Sequence, residues 1–273
     1  MTTGRWERVE GLVDVGHLRD RHVLVVGLGS GGSTVALELA RAGVGRFTLV
    51  DPDRMEERNV IRHECDDRYL GWNKAEAVAD LIRHRNPEAS VEAVSANVFD
   101  LGGRLGEVVG DADLVAGCTD VEPPKSLLDR ACLAARVPAV YAGVYERGVG
   151  GEVIRCAGGP ADPCYACVMS VLKESAPVPA GDDLDYGMVA ADGTLHGAPG
   201  LGLDVRLVAL VHAKVCLLTL LAGTGGEDLP ADVVLVGTAR VDGLFSRPFA
   251  SALLRVPPQE GCLACRPFRP AAV

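Results

Sequence analysis

Residues 22–51 read HVLVVGLGSGGSTVALELARAGVGRFTLVD, and this stretch decides the fold class. His22 to Val26 is a short β-branched run that ends in glycine, which predicts a strand. From Ser33 to Ala42 the residues Val35, Ala36, Leu39 and Ala40 fall at helical spacing, and Gly43 stands where a C-terminal cap belongs. Arg46 to Val50 predicts the next strand. Strand, glycine turn, helix and strand together make a βαβ unit.

The pattern continues outward from that unit. Lys74 to Arg85 is amphipathic, with Val78, Leu81 and Ile82 on one face and Pro87 just past its end. Val91 to Val94 and Asp113 to Ala116 predict further short strands, and Lys125 to Arg136 another helix. The alternation gives an α/β fold with a Rossmann-like, mainly parallel sheet and helices on both faces. After about Pro138 the character changes. Glu152 to Cys156 predicts a strand, whereas Lys173 to Pro199 is rich in Pro, Gly and Asp and reads as a long loop. A helix comes next, then strand-like runs at Asp232 to Val236, Ala239 to Phe245 and Ala252 to Val256, which predict antiparallel strands at one end of the sheet. With no linker in evidence, residues 1–273 read as one domain. Its nucleotide-binding part covers about 20–140, a crossover loop about 168–200, and the C-terminal strands and last cysteine pair about 230–268.

Composition bounds the partners. The chain has 273 residues, 33 of them glycine, and is 48% hydrophobic, which supports a sizeable core and excludes disorder. Its 27 basic and 37 acidic residues leave a net charge of −10, so neither nucleic acid nor an anionic membrane is the expected partner. The apolar stretch from Leu201 to Gly223 is interrupted by Asp204, Arg206, His212 and Lys214, and predicts a buried helix rather than a membrane span. Nine cysteines and a start without an apolar signal region predict a reducing, cytoplasmic setting.

The chemistry begins at the turn. Gly27-Leu28-Gly29-Ser30-Gly31-Gly32 fits G-x-G-x-x-G between strand and helix, where glycines allow close backbone approach and a helix N-terminus offers N–H groups to a phosphate. Asp51 ends the second strand about 20 residues on, where an acidic group can accept hydrogen bonds from a ribose. A nucleotide is expected. The turn and Asp51 alone would equally fit an NAD(P)-dependent oxidoreductase.

The residues after Asp51 favour another reading. Asp51-Pro52-Asp53, the N-x-x-R of Asn59 and Arg62, then Lys74, then Cys118-Thr119-Asp120 after an apolar strand, together with the later cysteine pairs, resemble the ThiF/MoeB/HesA family, the ubiquitin-activating-enzyme-like adenylyltransferases. The resemblance spans most of the chain. It implies ATP-dependent activation of the C-terminal glycine of a small ubiquitin-like or sulfur-carrier protein ending in Gly-Gly, giving an acyl adenylate and pyrophosphate. It implies that Asp51 holds the ribose, that Asn59, Arg62 and Lys74 bind phosphates, and that Asp120 holds Mg²⁺. Fixed cations and a metal suit a reaction that builds negative charge on phosphoryl oxygens. Arg5-Trp6-Glu7-Arg8 is similar to the family segment whose second arginine reaches the partner's nucleotide, which implies a homodimer with Arg8 acting across it.

Cys164-Tyr165-Ala166-Cys167 and Cys262-Leu263-Ala264-Cys265 are two C-x-x-C pairs. Their spacing is compatible with a tetrahedral Zn²⁺ or with two unrelated pairs. The resemblance implies one structural zinc site. The family's acyl-carrying cysteine in the loop after the first pair has no counterpart, since residues 168–200 contain no cysteine. Of the remaining five, Cys118, Cys132 and Cys216 read as core, Cys65 is the best candidate for a reactive thiol, and Cys156 is unassigned. Two further departures are Val121 and Lys125, where the family carries Asn and Arg. Gly148-Val149-Gly150-Gly151 fits either a channel for a thin glycine tail or a hairpin turn. A non-catalytic partner subunit, or an enzyme using a peptide or small-molecule carboxylate, are the remaining alternatives.

Overall fold

The first predicted strand forms as read: β1 spans His22–Val26, and all five residues are buried. This is seen in a computed structural model of the chain that describes residues 4–9, 11–175, 188–189, 195–196, 200–225 and 227–269. A strand buried on both faces must lie inside a sheet covered on each side. β2 (Arg46–Val50) and β4 (Leu114–Gly117) flank β1 and run parallel to it. β3 (Ser90–Val94) adds outside β2, and β5 (Ala139–Val144) adds outside β4, both in parallel. β6 (Gly150–Cys156), β9 (Val233–Gly237) and β10 (Ser251–Leu254) then continue the sheet in antiparallel pairs. The order is β10-β9-β6-β5-β4-β1-β2-β3. β7 (Met188–Val189) and β8 (Leu195–His196) pair separately.

The period-two alternation of β1 sorts its side chains onto two layers. Val23 and Val25 join one apolar cluster, with α2 (Ser30–Ala42), α4 (Lys74–Arg85) and α8 (Gly202–Leu220). Leu24 and Val26 join the other, with α5 (Arg104–Gly110), α6 (Glu122–Ala135) and α7 (Tyr165–Ser175). The short helices α1 (Val15–Arg19) and α3 (Glu57–Val60) precede β1 and α4. The mainly parallel sheet with helices on both faces and antiparallel C-terminal strands is as expected. Among the described residues no helix is long and apolar enough to cross a membrane.

Several elements depart from the sequence reading. α2 starts at Ser30 rather than Ser33, because Gly31 and Gly32 are helical despite their low propensity. β5 was not expected, since alanines and a glycine dilute its β-branched residues. α5 was not expected either, nor was α7, which occupies the start of the expected crossover loop. Most of that loop, including 176–187, lies outside the described residues. Residues 239–245 form no strand of the sheet. Arg240-Val241-Asp242-Gly243 turns back through Gly243 at φ +84°, closed by a bridge between Val241 and Phe245. In the 148–151 segment every missing side chain is accounted for by packing. A Cβ on Gly148 would meet Asp204 at 3.1 Å, on Gly150 the Phe245 ring at 2.5 Å, and on Gly151 the Gly143 carbonyl at 2.2 Å. The hairpin-turn reading holds there.

His212 on α8 pins that helix to the sheet. Its Nε2 lies 3.1 Å from the Val140 carbonyl of β5, and its Nδ1 3.9 Å from the Cys118 thiol at the end of β4. Burial, reinforced by the charge of Lys125, lowers its pKa to about 4. A histidine kept neutral in the fold but free to charge when unfolded contributes stability that is full above about pH 6.5 and falls as pH drops towards 4. The shift corresponds to about 3 kcal/mol across that window. Urea unfolding between pH 7 and 4 will show that loss, and His212→Gln will flatten it. An unchanged slope in the variant would assign the pH dependence elsewhere.

Candidate functional site

The sheet order places the site. The chain runs from β1 to β2 to β3 on one side, then crosses to β4 on the other. The carboxyl ends of β1 and β4 therefore diverge into a crevice, the usual ligand position in open α/β sheets. The glycine turn leaves β1 there, and Cys118-Thr119-Asp120 leaves β4 beside it. The two segments touch. Gly27 has φ +90°, and a Cβ on it would lie 2.8 Å from the Cys118 carbonyl. A Cβ on Gly32 would overlap the Gly27 carbonyl at 1.9 Å and meet the Cys118 Cβ at 2.9 Å. Gly29 differs, because a Cβ there meets nothing within 4 Å. Gly27 and Gly32 let the turn close, while Gly29 leaves open space in front of it.

Gly29 is also the N-cap of α2 and brings no side-chain hydrogen bond to that end of the helix. The first-turn N–H groups of a 13-residue helix, with the positive end of its dipole, thus face the crevice without a built-in acceptor. This is an arrangement suited to an anion.

Asp51 is 5% exposed at the end of β2. Its Oδ2 accepts the Leu28 N–H at 2.6 Å and its Oδ1 the Asp53 N–H at 2.8 Å. Burial raises its pKa, against the opposing pull of those N–H donors and of Lys74. Each oxygen keeps a lone pair for a further donor such as a ribose hydroxyl. Lys74, the first residue of α4, sets its Nζ 2.8 Å from Asp53 Oδ2. Asn73, which the sequence reading passed over, makes this possible. It caps α4 through Oδ1, while its Nδ2 donates to the carbonyls of Asp51 and Asp53 at 2.9 and 3.0 Å. An Asn directly before a helical run was the available signal.

The segment between them carries Asn59 and Arg62. Asn59 Oδ1 accepts the Glu56 N–H at 3.0 Å as part of a capping box on α3, leaving its amide donors for other use. Arg62 is half-buried against the start of α8, where a Cβ on Gly202 would come within 3.2 Å of its Cα. His63 and Glu64 fasten this segment: His63 Nε2 lies 2.6 Å from the Leu28 carbonyl, and Glu64 Oε1 meets Thr34 Oγ1 and Arg206 Nη2, each at 2.9 Å. Neither was anticipated, because their partners are distant in sequence. Asp120 is exposed beyond β4. Lys125 is 1% exposed, with its Nζ 3.8 Å from Glu122 and 6.0 Å from the centroid of the Tyr165 ring, so it is built into the base of α6.

Cys65 stands differently from its expected role. It is 1% exposed, and burial, aided by nearby carboxylates, pushes its thiol up to about 12, so the fold holds it buried and protonated rather than as a thiolate. Arg8 is exposed and far from its own chain's turn. Its neighbours fix the distance. Trp6 packs beside Gly43, and Arg5 Nη1 bonds the Arg85 carbonyl at 2.9 Å. These are the far ends of α2 and α4, about 20 Å from the turn by helix rise.

Away from the crevice, Cys164, Cys167, Cys262 and Cys265 form one buried cluster that could hold a metal ion, with all four sulfurs within 4.8 Å of one another. Adjacent sulfurs lie 3.6, 3.6 and 3.7 Å apart, close to the ~3.8 Å edge of a tetrahedron with metal–sulfur bonds of about 2.3 Å. Burial pushes the Cys262 thiol up, but the backbone N–H groups of Cys265 and Ala264 together with the Cys167 and Cys164 thiols bring it down to about 7. The Gln259 N–H donates to Cys167 Sγ at 3.4 Å. The cluster ties the C-terminal segment to α7.

Fold and site thus define an α/β protein with a glycine turn at its switch point. The model of the ThiF family matches residues 5–231, and the chain belongs to that family. It is 34% identical over 188 residues to the SAMP-activating enzyme E1 of Haloferax volcanii, covering 68% of this chain and 65% of that protein. It is 32% identical over 160 residues to the molybdopterin-synthase adenylyltransferase of Escherichia coli, covering 58% and 63%. The adenylyltransferase and sulfurtransferase UBA4 of Yarrowia lipolytica matches at 29% over 91% of this chain and 56% of its own length. These matches span under two thirds of the relatives. The solved structure of Escherichia coli MccB with succinimide shares the fold, with a TM-score of 0.72 and 19% identity over 97% of this chain and 75% of that one.

Metal analysis of the purified chain should find one tightly held ion per chain, and Cys262→Ser should lose it together with several degrees of thermal stability. A chain holding well under one equivalent with the four thiols intact would overturn the tetrathiolate reading.

Proposed function

We propose that this chain is an ATP-dependent adenylyltransferase that activates the C-terminal glycine carboxylate of a small ubiquitin-like or sulfur-carrier protein ending in Gly-Gly. The observation that carries the reading is the convergence, at one switch point, of an uncapped helix N-terminus, Asp51, Lys74 and the segment ending in Asp120. A hydride-transfer enzyme would use the turn and Asp51 but has no use for the others. The names of the matched relatives support the same activity.

In this reading the backbone of Gly27, Gly29 and Gly32 lets the phosphates approach, and Asp51 accepts hydrogen bonds from the ribose. Asn59, Arg62 and Lys74 hold the phosphates. Lys74 exchanges its contact with the 65%-exposed Asp53 side chain for the nucleotide, so its charge is already in place. Asp120 would hold Mg²⁺, which neutralises charge on the phosphoryl oxygens when bound. A carboxylate oxygen of the carrier bonds to the α-phosphorus, the bond to the bridging oxygen breaks, and pyrophosphate leaves with that electron pair. The product is an acyl adenylate. With no cysteine in 168–200 and Cys65 buried, its acceptor is an external nucleophile. The four cysteines would hold Zn²⁺ in a closed structural site without an open position for substrate.

The working unit in this proposal is a homodimer. Arg8, about a helix length from its own site, acts at the partner's. An exposed apolar stripe supports a second copy beside the crevice. Leu203 and Leu210 are 70% and 44% exposed at helical spacing on α8, next to Leu201 at 64% and Ile61 at 89%.

Pyrophosphate–ATP exchange that depends on a Gly-Gly carrier is the expected activity, with Asp120→Ala reducing it by at least about 100-fold. Absence of exchange with every carrier, combined with tight NAD(H) binding, would favour the oxidoreductase. Mixing Arg8→Ala with Arg62→Ala chains should restore part of the exchange, because one site of each heterodimer then has both arginines. No recovery in a mixture shown to contain heterodimers counts against sharing.

A further inference from the structure

The backbone of Leu28 is gripped on both sides of its Cα. The Leu28 N–H donates to Asp51 Oδ2 at 2.6 Å, and the Leu28 carbonyl lies 2.6 Å from His63 Nε2. The other ring nitrogen settles the tautomer. His63 Nδ1 lies 3.0 Å from the Cys65 backbone N–H, which can only donate, so Nδ1 is the acceptor and Nε2 carries the proton given to Leu28. The ring is 6% exposed. Burial and the charge of Lys74 on α4 oppose protonation, while the Leu28 contact and Glu64 favour it, and the balance lies on the neutral side. Glu64 is itself engaged by Arg206 and Thr34, and Asp51 faces His63 only across the Leu28 backbone.

A trans peptide is planar, with its C=O and N–H pointing in opposite directions. Holding the Leu28 oxygen against His63 therefore turns the N–H of Gly29, the N-cap of α2, away from His63. Glycine on one side makes this plane easy to flip. A flipped plane would present a carbonyl oxygen, not an N–H, to an anion. We infer that His63 is a positioning residue that fixes the Leu28–Gly29 peptide in its anion-binding orientation. This rests on the nucleotide reading of the turn given above.

The clamp can be read without any nucleotide. In ¹⁵N-histidine spectra of the full chain, with His63→Gln identifying the resonances, a protonated Nε2 and bare Nδ1 are expected from about pH 8 to about pH 6.5. An imidazolium or the opposite tautomer in that range overturns the clamp. Calorimetry with MgATP then tests its purpose. His63→Gln still offers an N–H at the distance of Leu28 and should bind within about twofold of wild type. His63→Asn keeps an acceptor for Cys65 but is too short to reach the Leu28 carbonyl, and should bind about tenfold more weakly. Equal affinity of the Asn variant and wild type, or a tenfold loss with Gln, overturns the inference. Should the Asn variant fail to fold, the spectrum and the Gln variant decide it. A wild-type chain that binds no ATP overturns the functional reading instead, and the tautomer still reports whether the clamp exists.

Discussion

The structure depends on how closely the turn after β1 passes the end of β4. The carbonyl of Gly27 occupies the space where any other residue at position 32 would carry its Cβ, and the Cys118 backbone does the same at position 27. Only glycine lets the chain turn from strand to helix within this space. That close passage brings the start of α2 to the crevice between diverging strands, and sets the segment ending in Asp120 beside it. The uncapped end of α2, the short reach to Asp51 and the access in front of Gly29 all stem from this one steric constraint.

Around the turn, polar side chains do the positioning that apolar packing cannot. Asp51 holds the Leu28 N–H, Asn73 stitches the end of β2 to the start of α4, and Glu64 joins α2 to α8 through Thr34 and Arg206. Each joins elements apart in sequence, and the bonds of Asp51 and Asn73 are buried, where an unpaired partner costs far more than a formed bond contributes. The crevice is thereby shaped before a ligand enters, so little reorganisation accompanies binding. The four-cysteine cluster serves the opposite end of the chain. It fixes the segment after β10 to α7, where the local core is too small to hold it alone.

The elements that the sequence predicts well are those whose own periodicity suffices. β1, β2 and α4 have the limits read from their residues, because alternation, helical spacing and capping are local properties. β5, α5 and α7 escaped because each mixes residues of opposing preference, alanine and glycine in a strand and valine and glycine or serine in a helix, and burial decided their state. The run at 239–245 looked like a strand by composition but turns at Gly243. In the site, Gly27, Gly29, Gly32, Asp51 and Lys74 were legible from motif and spacing. His63 and Glu64 were not, because a histidine or glutamate that bonds a backbone group or side chain 30 or more residues away leaves no pattern in its neighbourhood, while Asn73 offered only its place before a helical run. Cys65 shows the same limit in reverse, since a polar neighbourhood in sequence proved to be a buried one in space.

The sequence by itself determined the α/β class, the glycine turn, the family and the two cysteine pairs, because these rest on periodicity and on residue types with few alternative uses. The tertiary structure alone decided which atoms meet. It gathered four sulfurs from two distant pairs into one cluster, closed His63 onto Leu28, and set Arg8 a helix length from its own crevice. The reason is physical. Local sequence fixes dihedral preference and burial pattern, whereas distances between remote side chains depend on how whole layers pack.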